Sequence, residues 1–210
     1  MRACRVILVV AFAAIMIAAP SPGSNVRLSG AEGHPRERFP LSLYVTTIGQ
    51  PLLDDAAQRA VRDWNTLSGE ALGVTVFRTV AARADAQVVV TFDRRESSGL
   101  MGEAEISVVD AGVIALPVQI VIFEPKARGQ TGPDVLLYQL LAHELGHALG
   151  LAHVRDPRSI MCCVQGSIDF NDASAREAYI AARRHPELRS VRAQLVEHYD
   201  RFWSSRNTAR

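Results

Sequence analysis

Residues 143–153 read His-Glu-Leu-Gly-His-Ala-Leu-Gly-Leu-Ala-His, and no other stretch limits so much what this chain can fold into. An α-helix turns about 100° per residue, so His143 and His147 stand within roughly 40° of each other on one face. Both imidazoles can then reach one ion at about 2.0–2.1 Å, the usual zinc–nitrogen distance. Glu144 projects about 100° away from His143, off the ligand face but within reach of a water on that ion. Gly150 tolerates the left-handed conformation that stops a helix. With the helix stopped there, the chain can double back and bring in His153 as a third ligand. Three protein ligands leave a fourth position for water, the pattern of a catalytic zinc rather than a structural one.

The competing reading is an ordinary helix with two satisfied histidines and a solvated glutamate. The surroundings weigh against it. Leu136, Leu140, His143 and His147 share one helical stripe, and Leu137, Leu141 and Ala148 lie just beyond Glu144. Apolar neighbours on both sides are a costly setting for a carboxylate with no task.

The rest of the composition narrows the field by exclusion. A chain of 210 residues, 48% hydrophobic and 21% charged, is long enough for one domain with a sizeable core. Its formal charge is +1, and −1 once Arg2 and Arg5 are lost, so nothing points to nucleic acid or to an acidic membrane surface. Lys126 is the only lysine among the basic residues. Met1–Arg5 is short and positive, and Val6–Ala19 is an unbroken apolar run followed by small residues and prolines. That run falls short of the roughly 20 residues a bilayer span needs and has the layout of a secretory signal peptide over residues 1–23. A retained membrane anchor is the alternative. With the leader removed, the expected location is outside the cell or in its envelope or periplasm, with no stable membrane insertion. Residues 24–38 read as an extended lead-in to a domain spanning 39–210.

Within that domain the expected order is α+β. Phe39–Thr47 is β-like, and residues 52–68 repeat Leu53, Ala57, Ala60, Val61 and Trp64 at helical spacing with Gly69 as the stop. Val74–Val80 and Gln87–Asp93 read as strands. Ala104–Val109 and Val113–Phe123 read as a hairpin through Asp110-Ala111-Gly112, the second strand covered on both faces. Pro133 and Asp134 open the helix of the histidines, apolar almost all round and therefore buried. Asn171 or Asp172 caps a helix to about Arg184, and Pro186 opens another to about Ser204, with Leu188, Val191, Leu195, Tyr199 and Phe202 on one stripe. Packing against the domain, rather than a partner, is the expected role of that stripe.

Residues 143–153 match the HExxHxxGxxH signature of the metzincin metallopeptidases, and Ser159-Ile160-Met161, eight residues after His153, resembles their Met-containing turn. Among metzincins the chain is most similar to the matrixins, which include the catalytic domains of the matrix metalloproteinases. The resemblance implies a zincin-like fold: a twisted mixed β-sheet, a buried active-site helix, and a helical C-terminal segment over residues 171–210. It implies zinc-dependent hydrolysis of peptide bonds in a protein or peptide substrate. It also implies that His143, His147 and His153 bind zinc, that Glu144 is the general base, and that Met161 lies beneath the metal, with Gly150 near the site as the helix stop. The substrate would lie extended along Ala104–Val109, with residues 164–170 lining the pocket after the scissile bond. Between Arg94 and Pro117 there is no histidine, so the second zinc site of many matrixins is not expected. Calcium is compatible with Glu96, Glu103, Glu105 and Asp110, but nothing supports it over solvated charges. No inhibitory pro-segment is expected before residue 39. The alternative function is an exported or envelope-tethered zinc-binding interaction protein without significant peptidase activity.

Cys162 and Cys163 directly follow Met161 and are the only cysteines besides Cys4. In an oxidising compartment they can bond each other, pair between chains, or stay reduced; two small buried residues without redox function are the plain alternative. In the astacin and serralysin branches the second residue after the Met is a tyrosine able to approach the metal. Cys163 holds that place here, so a thiolate could occupy the open zinc position and silence the site.

Overall fold

The computed structural model describes residues 28–93, 102–123, 125, 131–163 and 166–207. The leader expected over 1–23, Glu96, and Val164 and Gln165 of the expected pocket wall lie outside the described residues. Among the described residues no helix is long and apolar enough to cross a membrane.

Alternation of apolar residues builds the first strand, β1 (Leu41–Val45), in which Leu41 and Leu43 are fully buried. Pro51 then starts α1 (Pro51–Leu72), a position where its missing N–H is no loss. The helix buries Leu53, Ala57, Ala60, Val61, Trp64 and Leu67 along one side. It does not stop at Gly69. Glu70, Ala71 and Leu72 carry it on, with Ala71 and Leu72 packed against the core, and the left-handed residue that ends it is Gly73 (φ 67°).

The remaining strands are β2 (Phe77–Thr79), β3 (Val88–Asp93), β4 (Gly102–Glu105), β5 (Val108–Val109), β6 (Val113–Ile114) and β7 (Val118–Phe123). Five of them form one sheet in the order β2-β1-β3-β7-β4, parallel throughout except for β4, which runs antiparallel to β7 on the outside. The expected hairpin turns at Ala111 (φ 59°) and Gly112 (φ 71°); its inner rungs are the two-residue ladder of β5 with β6, and its outer rungs are the antiparallel pairing of β4 with β7. Pro117, which has no N–H to give a ladder, separates β6 from β7. In β7, Val118, Ile120 and Ile122 are buried while Gln119, Val121 and Phe123 are half-buried, so one face is covered fully and the other in part.

Helix α2 (Pro133–Ala148) packs on α1 and carries the first two histidines. Trp64 joins the two helices, donating its indole N–H to the Ala142 carbonyl at 3.0 Å. Asp172 caps α3 (Ala173–Arg184) by accepting from the backbone of Ser174 and Ala175. The final helix begins later than Pro186. A short 3-10 turn, Leu188–Val191, precedes α4 (Arg192–Asn207). Leu188, Val191, Leu195, Tyr199 and Phe202 are all buried, as the apolar stripe requires. The lead-in is also part of the packed domain rather than a loose arm: His34 is fully buried, with its Nε2 2.9 Å from the Ala148 carbonyl.

Candidate active site

The three histidines come together although only two share a helix. His143 Nε2, His147 Nε2 and His153 Nε2 form a nearly equilateral triangle with edges of 3.0, 3.0 and 3.1 Å. His143 Nδ1 lies 2.8 Å from the Ile160 carbonyl and His147 Nδ1 2.8 Å from the Leu151 carbonyl. A carbonyl only accepts, so both Nδ1 atoms carry the proton and both Nε2 atoms present a lone pair. Lone pairs converging at this distance repel unless a cation sits among them. Ligands at about 2.0–2.1 Å from one tetrahedral ion stand roughly 3.3 Å apart, close to what the triangle shows, so the residues fit zinc. Burial, reinforced by the neighbouring His147, holds the His143 imidazole down to about 3; burial likewise lowers His147 to about 4. Neutral imidazoles are what a metal ligand needs.

The chain reverses between the second and third histidines. Helix α2 ends at Ala148, and Gly150 turns with φ 91°. A side chain there would be strained by the angle and would run into the Glu32 carbonyl oxygen. His153 follows on irregular backbone and is exposed. The next loop closes on itself, the Val154 N–H donating to the Met161 carbonyl at 3.1 Å, which brings Met161 under the site, fully buried.

Glu144 faces the outermost strand. It is 6% exposed, and its Oε1 lies 3.0 Å from where a Cβ on Gly102 of β4 would stand. The Ala104 N–H bonds to it, but burial first and the charge of Glu103 second raise its carboxyl to about 7. A carboxyl poised near neutrality can both take and return a proton.

Among the described residues His143, His147 and His153 are the one group of three or more histidine, cysteine or acidic side chains placed to hold a metal. A family model described as matrixin matches residues 38–175. The chain belongs to the matrixin family. Matrixins are zinc metallopeptidases, and a triangle of histidines that could hold a metal ion and a mixed sheet are consistent with that family. No curated protein matches this matrixin in sequence.

Cys162 and Cys163 are bonded to each other, Cys162 buried and Cys163 half-buried. Three contributors to the site escape a reading of the signature alone. Gly102 makes room for the Glu144 carboxylate, Gly146 makes room for Met161, and Trp64 braces the helix beneath. Gly146 carries a signal in hindsight, since a glycine inside a helix costs up to about 1 kcal/mol against alanine and usually has a packing reason.

Proposed function

We infer that this matrixin is an exported endopeptidase, with His143, His147 and His153 holding one zinc ion and Glu144 as general base. The observation that carries the reading is a buried carboxylate, Glu144, one residue after the first of three histidines whose ring nitrogens converge. Zinc held by the three histidines would supply Lewis acidity and would lower the pKa of a water bound to it to about 7. The protein's part is positional and protonic. The Ile160 and Leu151 carbonyls fix the His143 and His147 rings. Glu144 takes a proton from the attacking water and returns it to the departing amine. The outermost strand β4 offers backbone groups to an extended peptide, adding main-chain hydrogen bonds beside the site.

The test is Glu144→Ala. The variant should keep its zinc and its fold while peptide hydrolysis falls by about 10²–10⁴-fold, because the base is removed and the ligands are not. Hydrolysis at the parental rate would sink the assignment. An exported zinc-binding protein without peptidase activity would instead show no turnover in the parent. Cell fractionation and the N-terminal sequence of the mature chain test export, which rests on the leader-like residues 1–23.

A further inference from the structure

Four side chains from the last part of the chain reach the backbone that carries the metal site. Arg183 on α3 donates to the Cys162 carbonyl at 3.1 Å. Ser190, in the turn before α4, accepts the Ile160 N–H at 3.0 Å. Its own hydroxyl hydrogen goes to the Glu187 carbonyl at 2.7 Å, which leaves the oxygen lone pairs for Ile160. Gln194 donates Nε2–H to the Ala152 carbonyl at 2.8 Å, and Tyr199 donates its hydroxyl to the Leu149 carbonyl at 2.8 Å. All four residues lie beyond residue 175, where the match to the family ends.

Their targets are the points on which the zinc ligands depend. The Ala152 carbonyl belongs to the peptide bond that leads into His153. Ile160, gripped at its N–H by Ser190, uses its carbonyl to orient the His143 ring. Leu149 closes α2 just before the Gly150 reversal, and Cys162 follows Met161. Helical hydrogen bonds hold the backbones of His143 and His147, and the His143 ring is set by the Ile160 carbonyl. His153 stands on irregular backbone, so a grip on that backbone helps to place it. Gln194 supplies one while its own Oε1 is buried without a partner. Packing alone does not favour such an amide, because an unsatisfied buried acceptor is a cost.

We propose that residues 183–199 are a working part of the metal site, not only a packed extension. Gln194 and Ser190 are positioning residues, Gln194 for His153 and Ser190 for His143. The proposal rests on the reading of His143, His147 and His153 as the zinc ligands.

The experiment uses the full chain and three variants. Gln194→Met keeps the length of the side chain and removes the donor. Ser190→Ala removes the acceptor, and Ser190→Thr keeps it. Zinc affinity is measured by chelator competition, the ligand field by the absorption spectrum of the cobalt(II)-loaded protein, and the frame by thermal unfolding of the metal-free protein. Gln194→Met and Ser190→Ala should each bind zinc about 10–100-fold more weakly, as removal of groups that orient metal ligands typically does. Their cobalt bands should shift, Ser190→Thr should behave as the parent, and metal-free melting should stay within roughly 3 °C. Parental zinc affinity and an unchanged cobalt spectrum in both variants would overturn the proposal. So would a fall in metal-free melting that Ser190→Thr does not restore, since that marks packing alone. If Gln194→Met does not fold, the exposed Ser190 pair decides. A parent that binds zinc but cleaves no peptide counts against the peptidase reading and leaves this one standing. A parent that cleaves, with variants that hold zinc equally well, counts against this one only.

Discussion

The Met161 thioether lies where a side chain on Gly146 would stand: a Cβ there would meet Met161 Sδ, with Met161 Cε at 3.1 Å and Trp64 Cζ2 at 3.3 Å. The underside of α2 is notched at this point, and Met161 and the α1 tryptophan close the notch.

Gly146→Ala therefore sets two effects against each other. Helix propensity favours alanine by up to about 1 kcal/mol, whereas forcing a methyl into a filled space costs about 1–3 kcal/mol. Packing should win, because Met161 and Trp64 are both fully buried and have nowhere to move. The expected result is a lower melting temperature, with Met161 displaced and zinc held less tightly. A variant that melts at or above the parental temperature would show that the notch is not used.

His34 should make stability sensitive to acid. Its Nε2 donates to the Ala148 carbonyl, and its Nδ1 is buried without a partner. Burial first, then the charges of Arg38 and His198, lower the imidazole to about 4. Unfolded, it would titrate near 6.5. The folded state thus binds fewer protons between these values, so its stabilising effect is complete above about 6.5 and lost as pH falls toward 4. The loss attributable to His34 is on the order of 3 kcal/mol. Burial lowers His143, His147 and His198 too, so the measurement is a difference. Urea unfolding of metal-free parent and of His34→Asn, compared from pH 8 to pH 4, should show the flatter profile in the variant. Parallel profiles would refute the assignment.

What the sequence made legible was local. The histidine spacing, the Pro133 start of α2, the Gly150 reversal and the Asp172 cap each rest on residues within a turn or two of one another. The α1 stop was misplaced because Gly69 is permissive rather than obligatory, and the apolar Ala71 and Leu72 found core to pack against. The long strand expected over 113–123 was divided because Pro117 cannot complete a ladder. Residues that meet their partners only through the fold gave no local sign. His34 finds Ala148, Ser190 finds Ile160 and Gln194 finds Ala152 across long stretches of chain.

Metal removal offers a further check on the triangle. The protein should carry one equivalent of zinc by elemental analysis, and His147→Ala should carry none. A ligand that binds only the folded state stabilises it by about 4 kcal/mol at a thousandfold excess over its dissociation constant. Chelation should therefore lower the melting temperature of the parent and leave His147→Ala unmoved, and added zinc should restore the parent alone. Zinc retained by His147→Ala would break the ligand assignment.

The last prediction concerns the bonded pair Cys162–Cys163. Cys162 is buried and anchored through its carbonyl to Arg183, while Cys163 is half-buried. With the two sulfurs joined, neither is a thiolate able to bind a metal. A phosphine reductant with water converts the S–S bond to two thiols, the phosphine leaving as its oxide. The freed Cys163, two residues past Met161, could then supply a thiolate to the open metal position. Peptidase activity should accordingly be high in the oxidised protein and fall under strong reduction, returning on reoxidation. Cys163→Ser, which has no such thiolate, should be equally active in both conditions. Assays with a reductant that does not itself chelate zinc keep the comparison clean. Equal activity of the parent and Cys163→Ser under strong reduction would rule out this role and leave the pair as two bonded residues beside the Met-turn.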